Sequence, residues 1–341
     1  MYHFEIIEET SPEWDEIILK TEHDFHHTAY FHSIDNDFPC YLLYFGIADS
    51  FIALPVVLRP VEDTVFFDIT SVYGYAGPVV RLENESVKDE LFSFFRTRFR
   101  EYCKENNIVS VFSRLHPLLN QREVLKGMGE IADLNKTVSI DLTMPPEHQR
   151  TAYRKSLKSE LNQLRRKSYT VSEAKSEEEI EEFIKIYHQT MDRVHADPMY
   201  YFSTAYFYSF LNNSTFDTSL LVAKDGDKVI AGAIFTNTGI IMQYHLAGTA
   251  EAYIRETPMK LILDEARLHG NDSTAISLHL GGGVGGSDDD SLFRFKSAFS
   301  KDFKQFSVWK YIVNEEAYRE LSKGKTESSF FPLYRMPEKT E

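Results

Sequence analysis

Apolar and polar positions along the chain repeat one order of patterns twice. Residues 41–59 alternate and then run apolar on either side of Asp49-Ser50, which reads as strand, turn, strand. Residues 219–237 read the same way around Asp225-Gly226, a dipeptide that favours a two-residue hairpin. A helical stretch precedes each pair. A third strand follows, running into Ser71–Pro78 in the first half and covering Ile240–Gly248 in the second. Apolar residues at three- and four-residue spacing then predict a long helix from about Ser86 to Asn106, and its counterpart from about Thr257 to His269. Each half closes on a short apolar strand, Val109–Phe112 or Ala275–Leu278, ending in Arg114-Leu115-His116 or His279-Leu280-Gly281. Two matching units predict a duplicated α/β (α+β) domain, each copy a mixed, mostly antiparallel sheet flanked by helices. Pro145-Pro146 breaks regular structure, so the join is placed near Leu142–Pro146, giving domains 1–145 and 146–314. The strand and last helix after Gln305 fit either domain, with 315–341 open to joining the first.

Composition narrows the class. The 341 residues exceed what one core usually serves, and 43% hydrophobic residues supply material for two. Cys40 and Cys103 lie far apart with no CxxC spacing, so neither a disulfide framework nor a cysteine-rich zinc site fits, and a reducing cytoplasm is expected. The N-terminal pattern is that of a strand rather than a leader, and no apolar run reaches the roughly 18 residues of a membrane span. A net charge of −15 excludes a surface that binds nucleic acid all over. One local basic stretch stands against that balance: Arg150, Arg154, Lys155, Lys158, Arg165, Arg166 and Lys167, opposed by Glu160. It reads either as a solvated helix face or as a local basic patch for an anionic partner.

The densest signal is residues 277–299, which hold five of the sixteen glycines, three consecutive aspartates and Arg294-Phe295-Lys296. The glycines are not a Walker A loop, because no Lys-Ser/Thr pair follows. Asp288-Asp289-Asp290 at the next helix start would repel pyrophosphate and read as N-capping, with Ser287 or Asp288 as the cap. No ligand spacing supports a metal. On a helix from Asp288, Leu292, Phe295 and Phe299 share an apolar stripe, and Lys296 sits beside it at the boundary with solvent.

Six motifs in order resemble the FemAB-like, BioF2-like branch of the GNAT acyltransferase superfamily. They are Asp24–Tyr30, Tyr73–Pro78, Phe112–Pro117, Thr190–Ala196, Tyr244-His245-Leu246 and the Gly-rich segment ending in Phe295-Lys296. The resemblance spans residues 24 to about 321 and implies two tandem GNAT-like domains, the first on the acceptor side and the second on the acyl-donor side. It implies transfer of an acyl group to an amine. Characterised members extend the peptide of a cell-wall precursor from aminoacyl-tRNA, and a lysine in a Phe-Lys motif engages the donor's phosphate-rich end. That role falls on Lys296, with Phe295 beside it. The helical arm of the staphylococcal enzymes is absent from the pattern.

The resemblance also directs attention to the turn before the second long helix, where an ordinary GNAT enzyme cradles CoA pyrophosphate on glycine N–H groups. Here it reads Arg255-Glu256-Thr257-Pro258, with no glycine, an acid and a proline lacking an N–H. A donor bulkier than CoA is favoured. Amine acylation needs a neutral nucleophile, oxyanion donors and a proton route. No Gly-x-Ser-x-Gly elbow occurs. Tyr244 and His245 are catalytic candidates beside the place where GNAT sheets splay, with Lys296. Arg193 and His195 are candidates for an acceptor's phosphate or carboxylate, and Tyr73, Tyr75, Arg114 and His116 for lining the acceptor side. The expected activity is aminoacyl or acyl transfer to an amine of a cell-envelope peptide or sugar precursor, with no permanently bound cofactor. The alternatives are an acyl-CoA-dependent N-acetyltransferase of a surface sugar or metabolite, and a non-catalytic binding protein on the same scaffold.

Overall fold

The computed structural model describes residues 2–35, 37–283 and 290–337. The chain forms two compact units, Met1–Leu134 with Gln305–Glu341, and Asn135–Lys304. It passes from the first unit to the second inside one strand and returns inside another, while the Thr143–Pro146 break lies within the second unit.

The strands are β1 (Tyr2–Glu8), β2 (Cys40–Ile47), β3 (Ser50–Pro60), β4 (Phe67–Thr70), β5 (Val79–Arg81), β6 (Ile108–Leu115) and β7 (Glu130–Asp141). They continue with β8 (Thr170–Glu173), β9 (Asp217–Asp225), β10 (Lys228–Asn237), β11 (Ile241–Thr249), β12 (Ser277–Gly281) and β13 (Asp302–Ile312). The helices are α1 (Pro12–Ile18), α2 (Ala29–Asp35), α3 (Lys88–Glu105), α4 (Pro146–Thr151) and α5 (Lys155–Arg166). After them come α6 (Glu177–Arg193), α7 (Thr204–Leu211), α8 (Met259–Asn271), α9 (Ser291–Lys296) and α10 (Glu315–Leu321).

In the first unit the sheet runs β1-β2-β3-β4-β6-β13, with β5 also on β3. All pairs are antiparallel except β4–β6. The first hairpin turns one residue earlier than its sequence signal, with Ala48 in the left-handed region at φ 52°. Helix α3 buries Leu91, Phe92, Phe95, Phe99, Tyr102 and Cys103 along one stripe against β2, β3 and β6. The C-terminal segment completes this unit. Trp309 of β13 is fully buried in the same core, its indole N–H donating to the Met128 carbonyl. Buried Asp68 accepts from Arg59 Nε at 2.8 Å, Arg335 Nε at 2.6 Å and the Tyr334 hydroxyl at 3.1 Å.

The second unit repeats the scheme, with strand order β7-β12-β11-β10-β9-β8 and β11–β12 as the parallel pair. Alternate residues of these strands, Val138, Ile140, Phe235, Met242, Leu278 and Leu280, pack with α5 and α8 residues in one core. Helix α6 lies against β10 and β11. It approaches closely because Gly232 and Gly248 carry no side chain: a Cβ at 232 would sit 2.4 Å from the Phe183 ring, and one at 248 would sit 3.0 Å from the Tyr187 backbone. Asp264 of α8, fully buried, ties α4 and α5 to that helix. It accepts from Tyr153 OH at 2.8 Å, Arg165 at 2.6 Å, and Arg150 and Arg267 at 3.3 Å each.

Candidate functional site

Strands β11 and β12 stay paired over three residues, Ile241–Gln243 against Ser277–His279, and then diverge. Two bulges account for the divergence. On β11, Ile234 faces Leu246 and Phe235 faces Tyr244, which leaves His245 as an extra residue. On β12, His279 faces Ser139 and Gly281 faces Val138, which leaves Leu280 extra. Each bulge bends its strand just past the last paired residue, and Gly281 turns away at φ 74°. The result is a V-shaped opening in the middle of the sheet, floored by Gln243 and His279.

Lys296 stands at this opening. Helix α9 is capped by Asp290, whose carboxylate accepts from Phe293 N–H at 2.8 Å. Its six residues bury Phe293 and Lys296 three apart, while Leu292 and Phe295 are half-buried. The expected stripe is therefore displaced, and Lys296 is inside the fold, 7% exposed, rather than at a solvent boundary. The helix begins after Asp290, two residues later than expected, and turns Phe293 and Lys296 inward. The Ser287 or Asp288 cap and residues 284–286 of the glycine loop lie outside the described residues.

The Lys296 ammonium donates to the Gly282 carbonyl at 2.7 Å and lies 5.5 Å from the centroid of the Tyr244 ring. Among the described residues no carboxylate lies within ion-pairing distance. Burial pushes its pKa down from 10.5 to about 8, against the opposing pull of Asp290. Burial likewise pushes the Tyr244 hydroxyl up, so it stays a neutral donor at physiological pH. A desolvated cation held by one carbonyl and a ring face is completed by an anion.

Other expected residues fall elsewhere. His245, the bulge residue, stacks on Phe210 of α7 with centroids 5.0 Å apart. Phe295 packs on Phe299 at 5.9 Å. Helix α6 ends at Arg193, which is exposed and reaches the Thr249 carbonyl at 3.5 Å and Thr190 Oγ1 at 3.3 Å. His195 lies past that end, exposed, at φ 49°. The basic stretch is largely spent within the fold: Arg150 and Arg165 on Asp264, Arg154 on Glu160, and Lys167 on Glu256. Lys155 and Arg166 are exposed and Lys158 is half-buried, and none of the three forms an ion pair among the described residues. At the turn before α8, Glu256 accepts from Lys167 Nζ at 2.8 Å and from the Tyr169 hydroxyl, which hold its carboxyl ionised and below its usual pKa.

In the first unit the structure joins Tyr73 with Arg114, whose guanidinium lies 5.0 Å from the ring centroid, and Tyr75 with His116 at 5.7 Å. Sequence reasoning missed the group that organises them. Fully buried Asp24 accepts from His26 Nδ1 at 2.8 Å and His116 Nε2 at 3.2 Å, and caps Phe25 N–H at 2.8 Å. Burial pushes this carboxyl up, but the charge and hydrogen bonds of the two histidines hold it well below the usual range. Gly74, at φ 136°, lets the chain pass against His26; a Cβ there would lie 2.1 Å from the imidazole. The clustering of Asp24, His26 and His27 in one short motif was its available signal.

These histidines give the first unit an acid limit. Burial depresses the pKa of His27 and His116, and takes His32 from 6.5 to about 4. A depressed histidine contributes stability that is complete above its unfolded pKa near 6.5 and is lost as pH falls below it. His32 alone accounts for about 3 kcal/mol by pH 4. Urea midpoints should therefore fall steadily from pH 6.5 to 4.5, and a flat profile over that range would refute the account.

No family model and no curated protein sequence matches this chain. Among solved structures it is similar to FemX, at 11% identity and a TM-score of 0.69, over 93% of this chain and 99% of that one. It is similar to L-PGS from Bacillus licheniformis, at 13% identity and a TM-score of 0.58, over 91% of this chain and 95% of that one. A conserved protein of unknown function from Bacteroides thetaiotaomicron shares 10% identity and a TM-score of 0.61, over 91% and 100%. At such identities the likeness is one of fold alone, and this chain has the fold of FemX.

Proposed function

We propose that the protein is an acyltransferase that moves an acyl or aminoacyl group from an activated donor to an amine of a cell-envelope peptide or sugar precursor. The observation that carries this reading is Lys296, a buried ammonium without a carboxylate partner among the described residues, facing the opening between β11 and β12. In the reaction a neutral amine attacks the acyl carbonyl, the donor's ester bond breaks, and a proton leaves the amine. Lys296 supplies a fixed positive charge for the donor's phosphate or the developing oxyanion, in a desolvated setting where such charge acts strongly. Tyr244 packs beneath it and fixes its position. No covalent enzyme intermediate is needed.

The donor is proposed to be aminoacyl-tRNA. The turn before α8 offers a pyrophosphate no glycine N–H and includes Pro258, which has no N–H to donate, while Lys155 and Arg166 offer exposed charge to a phosphate backbone. FemX and L-PGS share this fold, which supports the transferase class. Both proposed substrates are cytoplasmic, and no helix among the described residues is long and apolar enough to cross a membrane.

The test is to incubate the purified protein with a UDP-linked envelope peptide precursor and, in separate reactions, alanyl-tRNA, lysyl-tRNA or acetyl-CoA. The expected result is a precursor heavier by one aminoacyl residue, seen by mass spectrometry with a charged tRNA and absent with acetyl-CoA. Acetylated product would replace tRNA with CoA as donor. Binding without product from any donor would make the protein a non-catalytic binder.

A further inference from the structure

A row of polar side chains crosses the second unit's sheet on the face opposite its apolar core. Thr236 of β10 faces Gln243 of β11, Gln243 faces His279 of β12, and His279 faces Ser139 of β7. Thr137 lies two residues along β7 on the same face. All five are 4% exposed or less, and Val138, Phe235, Met242 and Leu278, which alternate with them, belong to the core. Cross-strand neighbours in register hold their Cβ atoms about 4.5–5.5 Å apart, so these side chains form one contiguous line.

Two features make the line chemically directed. The Gln243 side-chain N–H donates to the Tyr244 carbonyl at 3.2 Å, which turns its Oε1 toward His279. His279 Nδ1 lies 2.7 Å from that oxygen and must carry the hydrogen, so Nε2 carries the lone pair. The hydroxyls of Ser139, Thr137 and Thr236 find no hydrogen-bond partner among the described residues despite full burial. Buried hydroxyls are normally satisfied, and water or a bound ligand completes such groups. The Thr236 end opens on a surface cavity of about 430 Å³ lined also by Thr218, Ser219 and Asn237.

The place matters as much as the groups. Gln243 and His279 are the last paired residues before the strands diverge. Tyr244, the next residue, points to the other face and carries Lys296 over its ring. The apex of the opening therefore has a cation on one face and a basic imidazole nitrogen on the other.

We propose that His279, oriented by Gln243, is the proton acceptor for the attacking amine, and that the Ser139, Thr137 and Thr236 hydroxyls relay the proton through bound water toward solvent. This rests on the transferase reading above. The amine nitrogen bonds to the acyl carbon and the donor's C–O bond breaks. The amine proton passes to His279 Nε2, and the departing oxygen takes an equivalent proton from water.

The test has two independent arms. Long-range proton–nitrogen correlation spectra of histidine-labelled protein at pH 7.5 should show His279 neutral with its hydrogen on Nδ1; a hydrogen on Nε2 overturns the proposal whatever the activity. In the precursor assay, His279→Asn keeps a donor toward Gln243 but has no base. It should lower kcat about 10²-fold or more, leave KM for the precursor within twofold, and regain rate with rising pH or added imidazole. Ser139→Ala should lower kcat about 3- to 10-fold and keep the wild-type melting temperature within a few degrees. Wild-type kcat in His279→Asn overturns the proposal. Absence of transfer by the wild-type protein overturns the transferase reading, and with it the catalytic assignment, while leaving the spectroscopic result to stand or fall by itself.

Discussion

Lys296→Met is expected to abolish transfer and, at the same time, to make the protein more stable. The activity loss should be about 10²- to 10³-fold, the size seen when one fixed charge or donor for a developing oxyanion is removed. The stability gain follows from the sign of the pKa shift. A lysine whose folded pKa drops from 10.5 to about 8 favours the folded state only when neutral, so the penalty for carrying its charge is absent above about pH 10.5 and complete below about pH 8. At pH 7 that penalty is about 3 kcal/mol. Methionine fills the same volume beside Tyr244 and Phe293 without a charge to desolvate. Urea denaturation at pH 7 should show the midpoint of Lys296→Met above that of the wild type, with the difference shrinking toward pH 10. A variant that is both inactive and less stable at pH 7 would make Lys296 a structural residue.

Asp264→Asn should have the opposite character, a large loss of stability from a residue given no part in the chemistry. Burial pushes the Asp264 carboxyl pKa up, yet hydrogen bonds from Tyr153 and Arg165 and the charges of Arg267 and Arg150 hold it below its usual value. Arg267, 1% exposed, depends on that carboxylate for its charge balance. Removing one partner of a buried pair strands the other, at a cost of about 3–5 kcal/mol. The double variant Asp264→Leu, Arg267→Met should recover part of the loss, because no charge is then left buried. A drop below about 1 kcal/mol in Asp264→Asn, read from urea midpoints, would show that Arg267 is balanced by other groups.

The element order was legible because hairpins, amphipathic helices and apolar strands each leave a periodic trace, and those traces occur twice. Depth was less legible. From its neighbours Lys296 reads as a residue at the edge of a stripe; which face of so short a helix turns inward is set by its packing, here over the Tyr244 ring, and spacing does not record that. Three aspartates in a row offer three possible caps, and sequence alone does not choose among them. Cross-strand groups were hidden for another reason. Gln243, His279 and Ser139 are 36 and 140 residues apart in pairs, and register between non-adjacent strands leaves no local mark. The Asp24–His116 bond is of the same kind, spanning 92 residues.

The excursion of the chain out of the first unit at Leu134 and back at Gln305 sets an order for synthesis. A ribosome delivers every residue of the second unit before it delivers Trp309, Tyr334 and Arg335. Until then the first unit lacks an indole from its core, and Asp68 lacks two of its three hydrogen-bond donors. The part of the protein that emerges first is thus the part completed last, and the unit carrying Lys296 is assembled while its elder neighbour still waits for its final strand.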